Sequence, residues 1–123
     1  MDIDEYLKGI LRQILDSYKI LVELGDSPND LDTIKKETAK IKGLLQVIHN
    51  KLSSKKYQSD HLVTIHKISA YYIETYDYSR EVEYLAQIYD NDPNRIKNLR
   101  TLIINSLNDK NMIEKFQMIL KKL

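Results

Sequence analysis

The sequence contains three histidines, the residue type that most often binds a metal ion. His61 and His66 are five residues apart and lie on different faces of a helix, whereas metal-binding pairs on a helix are spaced by three or four. The sequence also contains no Glu-x-x-His pair, the motif of ferritin-like di-iron bundles. We therefore predict no metal and no cofactor, and we interpret His49, His61 and His66 as surface or boundary residues.

The segment Asp90 to Asn94 has oxygen-bearing side chains spaced like those at the start of a calcium-binding loop. Arg95 stands where that loop requires glycine, and Thr101 stands where it requires a bidentate glutamate. Helix capping explains these residues better. The sequence also has no cysteine, no glycine-rich phosphate loop and no recognisable pair of nucleophile and base. We predict no catalytic residues and a non-enzymatic protein.

Six of the nine tyrosines fall within residues 71–93. Three of them fit the inward apolar stripes of the predicted helices: Tyr72, Tyr76 and Tyr89. The other three lie on different faces, so we expect them to be exposed: Tyr71, Tyr78 and Tyr84. Exposed tyrosines are typical of surfaces that bind a protein partner or stack on nucleic-acid bases. We predict that these outward tyrosines form a partner-binding site.

Apolar residues recur at helical spacing along the whole chain, and start and stop signals divide them. Asp2 or Asp4 can cap the first helix, and Gly25 is the expected left-handed residue after its end. Ser27 followed by Pro28, and Asp92 followed by Pro93, are strong start signals, and Asp109 is a further candidate cap. The helices are predicted over residues 3–24, 28–52, 60–76, 79–89, 93–107 and 110–123.

The boundary between the third and fourth helices rests on a change of apolar phase. Counting about 100° per residue, the apolar stripe of residues 62–76 and that of residues 82–89 differ in direction by roughly 120 to 140°. One straight helix cannot bury both stripes against one neighbour. We therefore predict a break or kink at residues 77–79, with Asp77 or Ser79 as the cap of the fourth helix. A long helix buried on both sides is the alternative.

These elements predict an all-α protein: a compact bundle of five or six helices that forms a single domain over residues 1–123. A chain of 123 residues is long enough to bury a substantial core. The last helix has an apolar face that fits the role of a closing helix in the bundle. The same face would also suit docking on a partner or lying on a membrane surface.

The formal net charge of +1 conceals a strong alternation along the chain. Residues 1–30 and 59–92 each carry seven acidic side chains, whereas residues 31–58 and 93–123 each carry seven basic ones. One interpretation is that neighbouring antiparallel segments attract each other. The other is that the basic segments share a face that follows a phosphate backbone. The residues expected to bind nucleic acid in that case are Lys35, Lys36, Lys42, Lys55, Lys56, Arg95, Lys97 and Arg100.

The remaining composition bears on compartment and source. The lack of cysteine favours a reducing compartment, so we expect a cytoplasmic protein. The acidic N-terminus lacks the features of a signal peptide, and no stretch is apolar enough to span a bilayer. Abundant Ile, Lys, Asn and Tyr, which have AT-rich codons, indicate a low-GC genome, with a viral genome among the candidates.

The sequence thus predicts an interaction or assembly module, such as a small subunit or adaptor, that binds a protein partner or a second copy through its outward tyrosines. The alternative is a small subunit of a nucleoprotein complex that binds nucleic acid through the lysine-rich segments 31–58 and 93–123. Lysine outnumbers arginine fifteen to four, so such binding would be non-specific and sensitive to salt.

Overall fold

The computed structural model describes residues 2–25, 27, 29–54, 56–88 and 92–123. Within these ranges the chain forms six α-helices and no strand, which confirms the predicted all-α class. The helices are α1 (Ile3–Glu23), α2 (Asp30–Lys51), α3 (Asp60–Thr75), α4 (Ser79–Ile88), α5 (Pro93–Leu107) and α6 (Met112–Lys122). A 3-10 turn, Asp109–Asn111, lies between α5 and α6.

The core lies around α1 and α2, which pack against each other because their connection is short. α1 also contacts α5 and α6, and α2 also contacts α3, α4 and α5. The largest fully buried side chains come from five of the six helices: Leu7, Leu11, Ile14, Leu21, Ile34, Ile41, Leu45, Ile48, Ile65, Ile96, Ile103 and Phe116. Burying this much apolar surface is the main driving force for the fold.

The end of α1 differs from the sequence prediction. Gly25 does not take the predicted left-handed conformation, and Leu24, the C-cap, is extended with φ −65° and ψ 145°. The carbonyl oxygens of Leu21 and Val22 instead accept hydrogen bonds from Nη1 of Arg100, at 3.2 and 3.4 Å. A cation from α5 thus satisfies the orphaned carbonyls and complements the negative end of the helix dipole.

The start of α2 is close to the predicted signal. The carboxylate of Asp30 accepts hydrogen bonds from the backbone N–H of Ser27 at 2.9 Å and from its hydroxyl at 3.0 Å. Asn29 rather than Ser27 is the N-cap, and Asp30 is the first residue of α2, so these bonds join Ser27 to the helix start without forming the predicted capping arrangement. The predicted role of Pro28 lies outside the described residues.

The predicted break between α3 and α4 is confirmed. α3 ends at Thr75, and Tyr76 is extended with φ −123° and ψ 134°. Oδ1 of Asp77 accepts a hydrogen bond of 3.0 Å from the backbone N–H of Ser79, the first residue of α4. The break lets each helix turn its own apolar stripe inwards. The predicted end of this helix at Tyr89 lies outside the described residues.

The corner between α5 and α6 shows a second departure from prediction. Asp109 does not cap α6, which begins at Met112 after two consecutive left-handed residues, Lys110 (φ 56°) and Asn111 (φ 57°). The carboxylate of Asp109 instead accepts hydrogen bonds from tyrosines of the α3 region.

α6 itself packs against α1 and buries Phe116 completely, so its apolar face closes the bundle. None of the helices in the described ranges combines the length and apolar character that crossing a bilayer requires.

Candidate partner-binding site

Asp109 connects the tyrosines of the α3 region to the α5–α6 corner. Its Oδ2 atom accepts hydrogen bonds from the hydroxyls of both Tyr71 and Tyr76, each at 2.6 Å. These bonds lower the pKa of the Asp109 carboxyl and raise the pKa of both phenols, because each favours the ionised acid and the neutral phenol. Nζ of Lys110 lies 5.6 Å from the centre of the Tyr71 ring, which adds a cation–π contact.

Tyr76 and Tyr78 form a stacked pair in the break. Their ring centres are 6.1 Å apart and the ring planes differ by 17°. Tyr72, at the end of α3, packs on Tyr76 with ring centres 5.3 Å apart. Burial raises the pKa of Tyr72 to about 12. We call the Tyr76–Tyr78 pair the tyrosine wall, because both residues line each of two hollows.

The first hollow, here called the α2 hollow, lies between α2, α4 and the break, and its volume is about 160 Å³. Its lining is mainly apolar and includes Ala39 and Val82 beside the tyrosines. Two ion pairs flank it: Lys35 Nζ to Glu83 Oε1 at 2.7 Å, and Lys42 Nζ to Asp77 Oδ1 at 3.1 Å. The hollow is therefore apolar within and balanced in charge around its rim.

Each ion pair shifts the pKa of one of its members. The hydrogen bond from Lys35 to Glu83 raises the pKa of the ammonium group. The backbone N–H of Ser79, with its side chain and Lys42 as further partners, lowers the pKa of Asp77 to about 2. Asp77 therefore stabilises the start of α4 and neutralises a lysine of α2 at the same time.

The second hollow, here called the α5 hollow, lies between the tyrosine wall and α5 and is wider and more open, with a volume of about 330 Å³. Leu102 and Asn105 of α5 line it together with Asn108 and Asp109. The Leu102 side chain is 50% exposed, which is high for a large apolar residue. The amide of Asn108 donates to the Tyr18 hydroxyl and to the Ile104 carbonyl, each at 2.9 Å, so this rim is held in place.

The three tyrosines predicted to be outward differ in their surroundings. Tyr71 and Tyr78 are half-buried rather than exposed, whereas Tyr84 is 54% exposed on α4, near the equally exposed Ile88. Tyr71 binds Asp109, and Tyr78 belongs to the tyrosine wall. The helical-wheel prediction for Tyr78 was wrong because residues 76–78 are not helical, so a seven-residue spacing does not set its direction. Tyr71 lies within α3, and its half-buried position reflects its contact with Asp109 of the α5–α6 corner.

The sequence prediction missed Tyr76 and Leu102 as site residues. Tyr76 was expected to point inwards, yet it is half-buried and lines both hollows. The predicted break was the signal that could have identified it, because an aromatic residue in a helix break is released from the buried stripe. Leu102 could not have been found in this way, because it follows the same helical spacing as the buried residues of α5.

Several basic residues predicted to bind nucleic acid have partners within the chain. Lys35 and Lys42 form the two ion pairs of the α2 hollow, and Arg100 binds the end of α1. Nε of Arg95 lies 3.7 Å from Oδ2 of Asp92. Lys36 and Lys97 are exposed, the ammonium group of Lys56 lies 5.0 Å from the centre of the Tyr57 ring, and Lys55 lies outside the described residues.

The histidines are partly buried, and two of them meet. His49 of α2 and His66 of α3 stack with ring centres 4.9 Å apart and planes 21° apart. Burial, and then the neighbouring His49, lower the pKa of His66. Nε2 of His61 lies 3.2 Å from Oδ1 of Asp4. Among the described residues, no group of three or more His, Cys, Asp or Glu side chains is arranged to hold a metal ion.

Comparison of the chain with protein-family models, curated proteins and solved structures finds no match. Function is therefore inferred from the geometry of this chain alone. The feature with the most distinctive geometry is the tyrosine wall with its two hollows.

Proposed function

We propose that this chain is a non-enzymatic interaction or assembly module that binds a protein partner at the tyrosine wall. The observation that carries this proposal is that Tyr76 and Tyr78 both line each of the two hollows. A partner surface laid across the wall would contact both rings and could place a side chain in each hollow. Tyrosines beside pockets are typical of the energetically dominant centre of protein interfaces.

The rim of the site also suits a protein partner. The flanking charged groups are paired with one another, Lys35 with Glu83 and Lys42 with Asp77, so they surround the α2 hollow without a large net charge. A polar, solvent-accessible rim around an apolar centre is the usual arrangement of a specific interface. Leu102 extends the apolar surface on the α5 side.

The same ion pairs argue against the nucleic-acid alternative. Binding a phosphate backbone requires unpaired cations on a shared surface. The lysines of α2 beside the wall are instead neutralised by acidic residues of the break and of α4. The alternation of charge along the sequence thus supports attraction between neighbouring segments more than a common basic face.

Two finer proposals accompany this one. A second copy of the chain is a candidate partner, because the wall and hollows could face their counterparts across a twofold axis. The lack of cysteine in the sequence supports a reducing compartment such as the cytoplasm.

The test is affinity capture from cells of the source organism with wild-type protein and Tyr78→Ala, followed by quantification of the captured proteins. Tyr57→Ala is the matched control, because Tyr57 is a half-buried tyrosine that lines neither of the two hollows. We expect a partner that Tyr78→Ala loses and that Tyr57→Ala retains. Capture that is the same for all three proteins would refute the proposal.

Sedimentation velocity of the same proteins separates a second copy from another partner. A wild-type dimer that Tyr78→Ala dissociates would identify the second copy as the partner. Tyr84→Ala, tested in parallel, shows whether the interface also reaches the exposed face of α4, where the sequence predicted a contact.

A further inference from the structure

The charge of the α5 hollow is negative, whereas that of the α2 hollow is balanced. Asp109 lines the α5 hollow, and among the residues that the structure describes none of its lining side chains is a lysine, an arginine or a histidine. The hydrogen bonds from Tyr71 and Tyr76 lower the pKa of the Asp109 carboxyl, so this group is ionised at neutral pH. The neighbouring Lys110 directs its ammonium group to the ring of Tyr71, which is not part of the lining.

Two side chains of this hollow use their hydrogen-bond donors within the chain. The amide nitrogen of Asn108 donates to the Tyr18 hydroxyl and to the Ile104 carbonyl, each at 2.9 Å, so both of its N–H groups are engaged. A carbonyl oxygen can only accept, so the amide nitrogen must be the atom that faces Ile104. The hydroxyl of Ser106 donates to the Ile103 carbonyl at 2.7 Å.

The groups that these side chains leave open are acceptors. Oδ2 of Asp109 already accepts from two phenols, whereas its Oδ1 is neither buried nor bound by a side chain of the described residues. The amide oxygen of Asn108 likewise receives no donor from the described part of the chain. Asn105, which is exposed on α5, adds a further amide oxygen to the lining. The hollow therefore complements a cation that is rich in donors.

The aromatic and apolar parts of the lining suit a cation with an apolar stem. Tyr76 and Tyr78 line the hollow, and an aromatic ring attracts a cation placed over its face. Leu102, with its half-exposed side chain, offers apolar surface to methylene groups. A guanidinium group is planar, stacks on aromatic rings and has five N–H donors, whereas an ammonium group has three donors at one point. The lining thus favours arginine over lysine.

The same features select against other occupants. A carboxylate or a phosphate would be repelled by Asp109 and would find no cation among the described lining residues. An aliphatic side chain would remove water from the open acceptors without replacing its hydrogen bonds. A sugar or a neutral amide brings acceptors of its own, and the donors of Asn108 and Ser106 are already engaged.

Building on the proposed function, we propose that the α5 hollow receives the guanidinium group of an arginine side chain from the partner protein. The guanidinium N–H groups donate to Oδ1 of Asp109 and to the amide oxygen of Asn108, and the guanidinium plane lies against the ring of Tyr78. The methylene groups of the arginine pack on Leu102. Asp109 then has two roles, because one carboxylate oxygen holds Tyr76 in the tyrosine wall and the other binds the partner.

The experiment is an NMR titration of the isotope-labelled chain with three capped amino acids. N-acetyl-arginine methylamide is the probe, N-acetyl-citrulline methylamide has nearly the same shape without the charge, and N-acetyl-lysine methylamide has the charge without the planar group. We expect the arginine probe to shift the backbone signals of residues around the hollow. It should bind roughly three- to tenfold more tightly than the citrulline probe, because it adds a cation–π contact and a charge-assisted hydrogen bond. The lysine probe should also bind more weakly than the arginine probe.

Charge substitutions at Asn105 test whether the probe binds in the hollow. Asn105 is exposed, so its replacement leaves the core unchanged. Asn105→Lys should abolish binding of the arginine probe, and Asn105→Asp should strengthen it about twofold or more. Asn98→Lys is the matched control, because Asn98 is an exposed asparagine of the same helix that does not line the hollow. It lies roughly 10 Å from Asn105 along the helix, and charges farther apart than about 8 Å are largely screened at 0.15 M salt.

Asp109→Asn removes the charge and keeps the shape of the side chain. This variant should bind the arginine probe no more tightly than the citrulline probe. Thermal unfolding of each variant confirms that it remains folded. If Asp109→Asn does not fold, because its hydrogen bonds to the tyrosines are weakened, the Asn105 variants still decide the result.

Four outcomes would overturn the inference. Equal affinities for the arginine and citrulline probes would show that charge does not select the occupant. Equal affinities for the arginine and lysine probes would assign the hollow to cations in general. Binding that survives Asn105→Lys would place the site elsewhere. Absence of arginine-probe binding, together with capture of a partner that still depends on Tyr78, would refute the inference but leave the proposed function intact.

Discussion

The hydroxyl of Tyr76 donates a hydrogen bond of 2.6 Å to Oδ2 of Asp109, a residue 33 positions further along the chain. Tyr71 donates to the same oxygen atom. These bonds connect the break after α3 to the left-handed corner before α6. Because Tyr76 also belongs to the tyrosine wall, the carboxylate of Asp109 positions one of the two rings of the candidate site.

The alkaline stability of the protein should depend on this network. The hydrogen bonds to Asp109 raise the pKa of Tyr71 and Tyr76 above the ordinary value of 10.0. The folded state therefore retains its phenol protons at a pH where the unfolded chain loses them. This contribution to stability is fully present below pH 10.0 and is lost as the pH rises towards the folded pKa values.

Urea unfolding of wild type and Tyr76→Phe at neutral and alkaline pH measures the effect. We expect the wild-type midpoint to fall more steeply than that of Tyr76→Phe as the pH rises above the unfolded value. Tyr57→Phe is the control and should follow the wild type. Parallel curves for all three proteins would show that the network does not stabilise the neutral phenol.

A glycine in place of Lys110 should relieve the backbone strain at the corner between α5 and α6. Lys110 has φ 56°, a conformation that costs a residue with a side chain about 1–2 kcal/mol. Glycine avoids that cost but loses more backbone entropy on folding, so Lys110→Gly should stabilise the fold by about 1 kcal/mol or slightly less. The free energy of unfolding in urea measures the change. Lys110→Ala is the control, which keeps the strain and should bring no gain.

The stacked histidines predict an acid-sensitive region between α2 and α3. Burial and the neighbouring His49 lower the pKa of His66 below its ordinary value of 6.5. The unfolded chain therefore takes up a proton before the folded protein does. The stability associated with neutral His66 is present above pH 6.5 and is lost as the pH falls from there towards the lowered folded value.

Replacing His66 by Gln should flatten the pH dependence of stability in that window. The measurement is the urea midpoint at neutral and mildly acidic pH. His61→Gln removes a histidine that lies beside Asp4 rather than beside His49, so this variant should still lose stability as the pH falls. A loss of the same size in His66→Gln and in wild type would contradict the prediction.

Because α6 closes the bundle, replacing two of its apolar residues by Ala should lower the stability of the protein by very different amounts. Phe116 is fully buried, and its replacement by Ala should cost about 3–5 kcal/mol of unfolding free energy. Met118 is 53% exposed, and Met118→Ala should change stability by no more than about 0.5 kcal/mol. Equal effects of the two substitutions would mean that α6 does not close the bundle.

The internal ion pairs predict weak association with nucleic acid. Polarisation titrations with labelled single- and double-stranded oligonucleotides should show no saturable binding at moderate salt, because Lys35 and Lys42 are neutralised within the chain. The exposed Lys36 and Lys97 are the residues to change if binding occurs. Binding that persists at moderate salt and is lost in Lys36→Glu/Lys97→Glu would favour the nucleic-acid alternative.

The sequence alone determined the helices and the break between α3 and α4, because both follow from local physics. Apolar spacing defines the buried face of each helix, and a polar cap such as Asp77 or Asp92 fixes where the next helix begins. The change of apolar phase near residues 77–79 was sufficient to predict that the chain leaves helical geometry there.

Only the tertiary structure decided which tyrosines meet and what they surround. The helical wheel assigns directions within a continuous helix, so it did not apply to Tyr76 and Tyr78 in the extended break. The bond from Tyr76 to Asp109 and the stack of His49 on His66 join residues of different elements. Such contacts depend on how the helices pack together, and the periodicity of a single helix carries no information about them.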